Sequence, residues 1–169
     1  MNNTIAEHRA DAPQQLCCAV ITVSDTRTLE NDRGGALLND LLRDAGHAVA
    51  ERQITPDEPT KLTALITDLA GRDDIDAILL TGGTGISQRD QTFETVSALL
   101  DKTLPGYGEL FRQLSFDQIG PAAMLSRTVG GVCGTTIVLT MPGSPAAVQL
   151  AMQQIILPEL GHLVREARR

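Results

Sequence analysis

Thr81-Gly82-Gly83-Thr84-Gly85-Ile86-Ser87-Gln88-Arg89-Asp90 follows the apolar run Ile75 to Leu80 and precedes a helical pattern that begins at Thr92. A strand, a glycine-rich turn and a helix therefore start here in succession. Three glycines within four residues strip side chains from the turn, so backbone N–H groups can approach an anion, and the next helix adds its positive end. No Gly-Lys-Ser/Thr follows, which excludes a Walker A loop, and Gly83-Thr84-Gly85 lacks a third glycine at dinucleotide-fingerprint spacing. By spacing alone, a plain tight turn and a ligand loop both remain open.

Upstream, Leu16 to Val23 is a continuous apolar run and predicts a strand covered on both faces. A polar loop from Ser24 to Arg33 follows. Leu37, Leu38, Leu41, Leu42 and Ala45 then fall at helical spacing, and Gly46 stops the helix. His47 to Ile54 alternates as a strand nearer a sheet edge, Thr55 to Pro59 breaks it, and Leu62, Leu65, Ile66 and Leu69 mark an amphipathic helix closed by Gly71. The Ile75 to Leu80 run is then a central strand, and three alternating strands predict a right-handed parallel α/β sheet.

Downstream, Phe93, Val96, Leu99 and Leu100 give another helix face. A short helix carrying Leu110, Phe111 and Leu114 is expected, then another over Pro121 to Ser126. Gly130, Gly131 and Gly134 around Cys133 predict a tight connection or bulge beside a strand from Thr135 to Thr140. Met141-Pro142-Gly143-Ser144-Pro145 is the last sharp turn. The closing helix starts near Pro145, with Pro158 as a candidate kink.

At 169 residues the chain suits one domain, 16–169, preceded by a mobile tail over 1–15. A net charge of -7 and 2% aromatics argue against nucleic acid held through a basic, stacking surface. The first fifteen residues read as neither a signal peptide nor a membrane span. Cys17 and Cys18 read as buried thiols of a reduced, cytoplasmic protein, and Cys133 as core or surface filler. His8, His47 and His162 are scattered, so neither zinc nor haem is expected.

In an open parallel sheet, ligands bind beyond the carboxyl ends of the strands where the strand order reverses. Four loops leave such ends if the last strand is also parallel: Ser24 to Arg33, Thr55 to Pro59, Thr81 to Asp90 and Pro142 to Pro145. Asp25, Asp57 and Asp90 would then meet at one edge, with Arg27 and Arg89 beside them. Carboxylates beside a phosphate cradle make sense with Mg²⁺ between them, and arginine supplies a fork for phosphate. Equally, Asp25 and Asp57 could be turn or capping residues, and Ser126-Arg127 and Ser144 could be caps or phosphate donors. No Ser-His-Asp or Cys-His arrangement is evident.

Ser24-Asp25-Thr26-Arg27, Thr81 to Gly85, Arg89-Asp90-Gln91-Thr92, Pro105 to Arg112, Ser126-Arg127 and Met141 to Pro145 occur in the order seen in the MoaB/Mog family. The resemblance covers about residues 16 to 165, and the stretches Gly106 to Arg112 and Leu114 to Gly120 are most similar to its MoaB branch. It implies a three-layer α/β/α sandwich with a mostly parallel central sheet, assembled as a homotrimer or hexamer. It also implies a ligand, molybdopterin. In adenylating members the molybdopterin phosphate attacks the α-phosphorus of ATP with Mg²⁺ present, releasing pyrophosphate, and a MoeA-type partner then inserts molybdate.

Carried over by position, the resemblance makes Asp57 and Asp90 the catalytic and metal-linked acids. Ser24, Asp25, Gly82, Gly83, Thr84, Gly85, Arg89, Ser126, Arg127, Pro142, Gly143 and Ser144 become the molybdopterin and phosphate site. The expected function is molybdopterin adenylylation; the alternative is a carrier or assembly scaffold that performs no chemistry.

Overall fold

The computed structural model describes residues 12–169. His8 and the first eleven residues of the expected tail lie outside that range. Six strands form one sheet: β1 (Cys17–Val23), β2 (Ala48–Thr55), β3 (Ala77–Thr81), β4 (Lys102–Thr103), β5 (Gly130–Cys133) and β6 (Thr136–Met141). Their spatial order is β2-β1-β3-β6-β5-β4. The four strands from β2 to β6 run parallel, and β5 pairs antiparallel with both β6 and β4. The chain moves from β1 to one side and then returns to the other side for β3, so the order reverses between β1 and β3.

The helices are α1 (Arg33–Asp44), α2 (Pro59–Ala70), α3 (Thr92–Leu99), α4 (Pro105–Ile119), α5 (Pro145–Ala151) and α6 (Leu157–Ala167), with a 3₁₀ segment over Gly120–Leu125. The period of two along each strand sorts them into two layers. Cys18, Val20, Ala77, Leu79, Ile137 and Leu139 point into one core with α1, α4, α5 and α6. Ala19, Ile21, Val23, Ile78, Leu80 and Val138 point into the other with α2 and α3. Fully burying each such Val, Leu or Ile contributes about 1.5–3 kcal/mol, which makes the continuously apolar strands the centre of the sandwich. The three-layer α/β/α fold with a mostly parallel sheet is therefore as expected.

Three local readings change. The Gly130-Gly131 stretch is strand rather than a turn, and Gly134 (φ +62) turns the hairpin into β6. A Cβ at Gly131 would approach the Lys102 carbonyl closer than 3.0 Å, so the glycine lets β4 pack against β5. The short helix expected around Leu110 is the fifteen-residue α4, because Pro105 stands in its first turn and Gly108 packs without breaking it. The closing helix is not simply kinked at Pro158. Met152–Ile156 forms a π segment in which the Leu157 N–H reaches the Met152 carbonyl just ahead of the proline, which has no N–H to donate.

Candidate functional site

The loops after β1, β2, β3 and β6 do meet at one edge of the sheet, and two hollows open there. A cleft of about 710 Å³ sits at the switch point, walled by Ser24, Arg27, Asp32 to Gly34, Gly82, Gly143 and Ser144. A smaller hollow of about 370 Å³ is walled by Gly83 to Gly85, Asp90, Ser115, Ser126 and Pro142 to Ser144. Gly143 and Ser144 belong to both walls. The ridge between them is narrow because a Cβ on Gly143 would sit 3.5 Å from the Gly82 Cα, and the Gly82 N–H donates to the Met141 carbonyl at 2.9 Å.

The glycine turn is held in place from behind. Gly82 (φ +103) and Gly83 (φ +64) occupy the left-handed region that favours glycine. A side chain at Gly83 would meet Thr92 Oγ1 closer than 3.0 Å and Asp57 Oδ2 at 2.5 Å. Asp90 accepts the Ser87 N–H at 3.0 Å, and its Oδ2 would lie 2.7 Å from a Cβ on Gly85. The two acidic positions thus lie close to the glycines, Asp57 beside Gly83 and Asp90 beside Gly85.

Asp57 is 4% exposed. Its Oδ2 accepts the Gln91 N–H at 3.0 Å, at the start of α3, while its Oδ1 is buried without a partner among the described residues. Burial pushes its carboxyl above the usual range, opposed by hydrogen bonding from Gln91 and Thr92, while the nearby charge of Asp90 raises it. A buried carboxylate oxygen with no donor is costly as it stands, and a cation or ligand donor would satisfy it. Asp25 differs. Its carboxylate accepts a fork from Arg89 at 2.6 and 2.7 Å and the Asp57 N–H at 3.3 Å, and Arg89 holds it below the usual range.

The remaining sequence candidates divide by what they touch. Ser24 Oγ accepts the Thr26 and Arg27 N–H groups, so it shapes the loop while lining the cleft. Ser144 caps α5 through the Ala147 N–H at 3.2 Å. Ser126 lines the small hollow, with a buried Oγ that has no partner among the described residues. Arg127 sits behind the turn. Its guanidinium donates to the carbonyls of Gly85 at 2.7 Å and Asp90 at 3.0 Å, pairs with Glu94, and lies 5.4 Å from the Phe93 ring centroid.

Two residues with site roles escape a reading by motif. Asp32, 4% exposed, caps α1 through the Gly35 N–H, accepts the Thr22 hydroxyl and pairs with Arg52 at 3.1 Å. Its position one residue before Arg33-Gly34-Gly35 was the available capping signal. Gly34 is the second. A Cβ there would come 2.6 Å from the Gly143 carbonyl, so α1 can abut the Pro142 to Ser144 turn only at a glycine. The pair Gly34-Gly35 at the start of an otherwise apolar-periodic helix was the hint.

Metal chemistry has a limited but real fit. Among the described residues no three His, Cys, Asp or Glu side chains cluster as a self-sufficient metal site. Mg²⁺ at a nucleotide ordinarily takes one or two carboxylates plus phosphate oxygens, and the unpartnered Asp57 oxygen near Asp90 matches that smaller demand. No helix of the described residues is long and apolar enough to cross a membrane.

Residues 19–162 match the family model described as "Probable molybdopterin binding domain". The chain is 51% identical over 164 residues to "Molybdenum cofactor biosynthesis protein B" of Halalkalibacterium halodurans, covering 96% of each, and 47% identical to the Bacillus subtilis protein of that name, covering 98% of each. A crystal structure of a molybdenum cofactor biosynthesis protein B superposes with a TM-score of 0.90 at 48% identity, covering 94% of this chain and 99% of that one. The tungsten cofactor synthesizing protein MoaB of Pyrococcus furiosus superposes with a TM-score of 0.83 at 32% identity, covering 94% of this chain and 100% of the other. The chain belongs to the MoaB/Mog family of molybdopterin-binding domains, a family of molybdenum cofactor biosynthesis.

Proposed function

We propose that the protein binds molybdopterin and adenylylates its phosphate with ATP, releasing pyrophosphate. The observation that carries this reading is the buried, unpartnered Oδ1 of Asp57, set against a glycine turn that separates two hollows with a shared rim. A phosphate lodged in each hollow would approach the other across Gly82, Gly83, Gly143 and Ser144. Molybdopterin occupies the smaller hollow, its phosphate near Ser126 and the Gly83 to Gly85 amides. ATP occupies the larger cleft, where Ser24 and Arg27 face it.

In the reaction a molybdopterin phosphate oxygen bonds to the α-phosphorus as the bond from that phosphorus to the leaving pyrophosphate breaks. A phosphate monoester has its second pKa at about 6, so the nucleophile is already anionic at neutral pH and needs no base from the protein. The chain's contribution is placement and charge compensation, the main sources of rate in such transfers. Backbone N–H groups of the turn fix the oxygens, and Arg127 keeps the turn rigid through the Gly85 and Asp90 carbonyls. Arg89 is available to phosphate by exchange from Asp25, because that pair is largely exposed. Asp90, on the wall of the smaller hollow, and Asp57, behind Gly83, would hold Mg²⁺ beside the glycine turn, where the ion would neutralise phosphate charge.

Exposed Leu110 and Phe116 on α4, which line neither hollow, support assembly into a homotrimer or hexamer. The product would pass to a MoeA-type partner. The test of catalysis is pyrophosphate release from Mg-ATP with and without molybdopterin, in the wild type and in Asp57→Asn and Asp90→Asn. Release that needs molybdopterin and is lost in both variants supports the transferase. Tight molybdopterin binding with no release would replace it with a carrier.

A further inference from the structure

Behind the glycine turn, on the far side of Ser126 and Arg127, lies a third cavity of about 460 Å³. None of the chemistry above uses it. Its walls include Phe93, Leu104, Pro105, Met124 and Val129, which are apolar, and a set of polar groups without partners. Thr128 is 3% exposed, and its Oγ1 has no hydrogen-bond partner among the described residues. The hydroxyls of Ser97 and Ser126, on the same wall, are also buried and unpartnered. With Ser126 serving the smaller hollow, the hydroxyls of Thr128 and Ser97 are left unsatisfied around this cavity, whereas buried polar atoms nearly always find a partner.

The cations and dipoles around the cavity indicate the sign of what would satisfy them. Arg112 lines it, donates only a long 3.4 Å bond to the Ser126 carbonyl, and pairs with no carboxylate among the described residues. The fifteen-residue α4 begins in the same wall at Leu104 and Pro105 without a side-chain cap, so its positive end is uncompensated there. Gly108 brings the helix close, since a Cβ there would sit 2.7 Å from the Thr128 carbonyl and 3.0 Å from the Arg112 guanidinium. Glu109 is the one acid on the wall, and it is exposed.

We propose that this cavity is a second ligand site, for a small organic anion whose phosphate or carboxylate meets Arg112, Thr128 and the start of α4 and whose apolar body lies against Phe93, Leu104 and Met124. The site meets the molybdopterin hollow described above at Ser126, which lines both. Arg112 bonds the Ser126 carbonyl, and Arg127 bonds the carbonyls of Gly85 and Asp90. An anion that draws Arg112 away therefore acts on the segment that braces the glycine turn, and the site has the connections of a regulatory one.

The test uses phenyl phosphate and benzoate as probes on the full chain, with backbone amide NMR shifts read residue by residue and affinity taken from their saturation. The expected result is saturable shifts at Ser97, Gly108, Thr128 and Gly130. Affinity should fall at least tenfold in Arg112→Gln and measurably in the near-isosteric Thr128→Val, with both variants folded by their unchanged amide dispersion. Asp90→Asn should bind as the wild type does. Shifts confined to Gly83 to Gly85 and Ser144, no saturation, or binding unaffected by Arg112→Gln would each overturn the proposal. Because no turnover is measured, that outcome is separate from any failure of the transferase reading.

Discussion

Gly83→Ala is the sharpest perturbation of the glycine turn. The residue sits at φ +64, where an L side chain costs about 1–2 kcal/mol, and its new methyl would be driven against Thr92 Oγ1 and Asp57 Oδ2. Neither neighbour can move aside easily, because Thr92 is fully buried and Asp57 nearly so. Overpacking of that kind adds about 1–3 kcal/mol. The loss is therefore about 2–5 kcal/mol, against a total stability of about 5–15 kcal/mol for a typical domain. At this chain length each kcal/mol lowers Tm by about 2–4 °C, so the thermal midpoint should fall by about 4–20 °C. Urea unfolding gives the free energy and calorimetry the midpoint. Gly106→Ala, in the first turn of α4, is the internal control: a Cβ there meets nothing within 4 Å, so alanine should not destabilise. A Gly83→Ala loss below about 1 kcal/mol, or one no worse than at Gly106, would refute the argument that the turn's glycines are fixed by the packing of Asp57 and Thr92.

Asp57 gives a pH signature. Burial raises its folded pKa above the ordinary 3.8, so the folded state holds its proton longer than the unfolded chain does. Stability from this group is present below about pH 3.8 and declines as pH rises through the folded value. Urea midpoints between about pH 4 and 7 should show wild type losing ground to Asp57→Asn with rising pH; a difference that stays flat would contradict the burial argument. Arg127→Gln releases the Gly85 and Asp90 carbonyls and the Glu94 pair, and should cost about 1.5–3 kcal/mol, the range for charged hydrogen bonds. Hydrogen exchange should quicken at Gly83 to Ser87 in that variant, and unchanged exchange there would remove Arg127 from its bracing role. The Cys18 thiol, pushed up to about 12 by burial, should resist iodoacetamide in the native protein at pH 8 and react only on unfolding. Rapid native alkylation of Cys18 would show that the β1 core opens.

The parallel core was legible because β1 and β3 are buried on both faces and so carry no polar alternation to confuse the period. The site edge was legible for a related reason: each parallel strand ends in a loop whose glycines, aspartates and serines are too many for simple connection. What was hidden depends on who the neighbours are. Gly130 and Gly131 look like turn residues in sequence, yet they are strand glycines because Tyr107, Leu139 and the Lys102 carbonyl fill the space their side chains would need. Pro105 and the glycines after it look like punctuation, whereas Pro105 opens α4 and Gly108 lets it close on Thr128. Arg127 reads as a phosphate ligand by motif, but its partners, the Gly85 and Asp90 carbonyls and Glu94, come from more than thirty residues away. No local pattern can encode those contacts. Asp57 was legible as an acid in the right loop, though not as one with a single satisfied oxygen.

Transfer of label from ATP bears most directly on the proposed chemistry. Purified protein is incubated with molybdopterin, Mg²⁺ and ATP labelled at either the α- or the γ-phosphorus, and the pterin is separated by its fluorescence. The account predicts α-label on the pterin in step with pyrophosphate release, no γ-label, and neither signal in Asp57→Asn or Asp90→Asn. A pterin that binds but carries no α-label, or that carries γ-label instead, would contradict it.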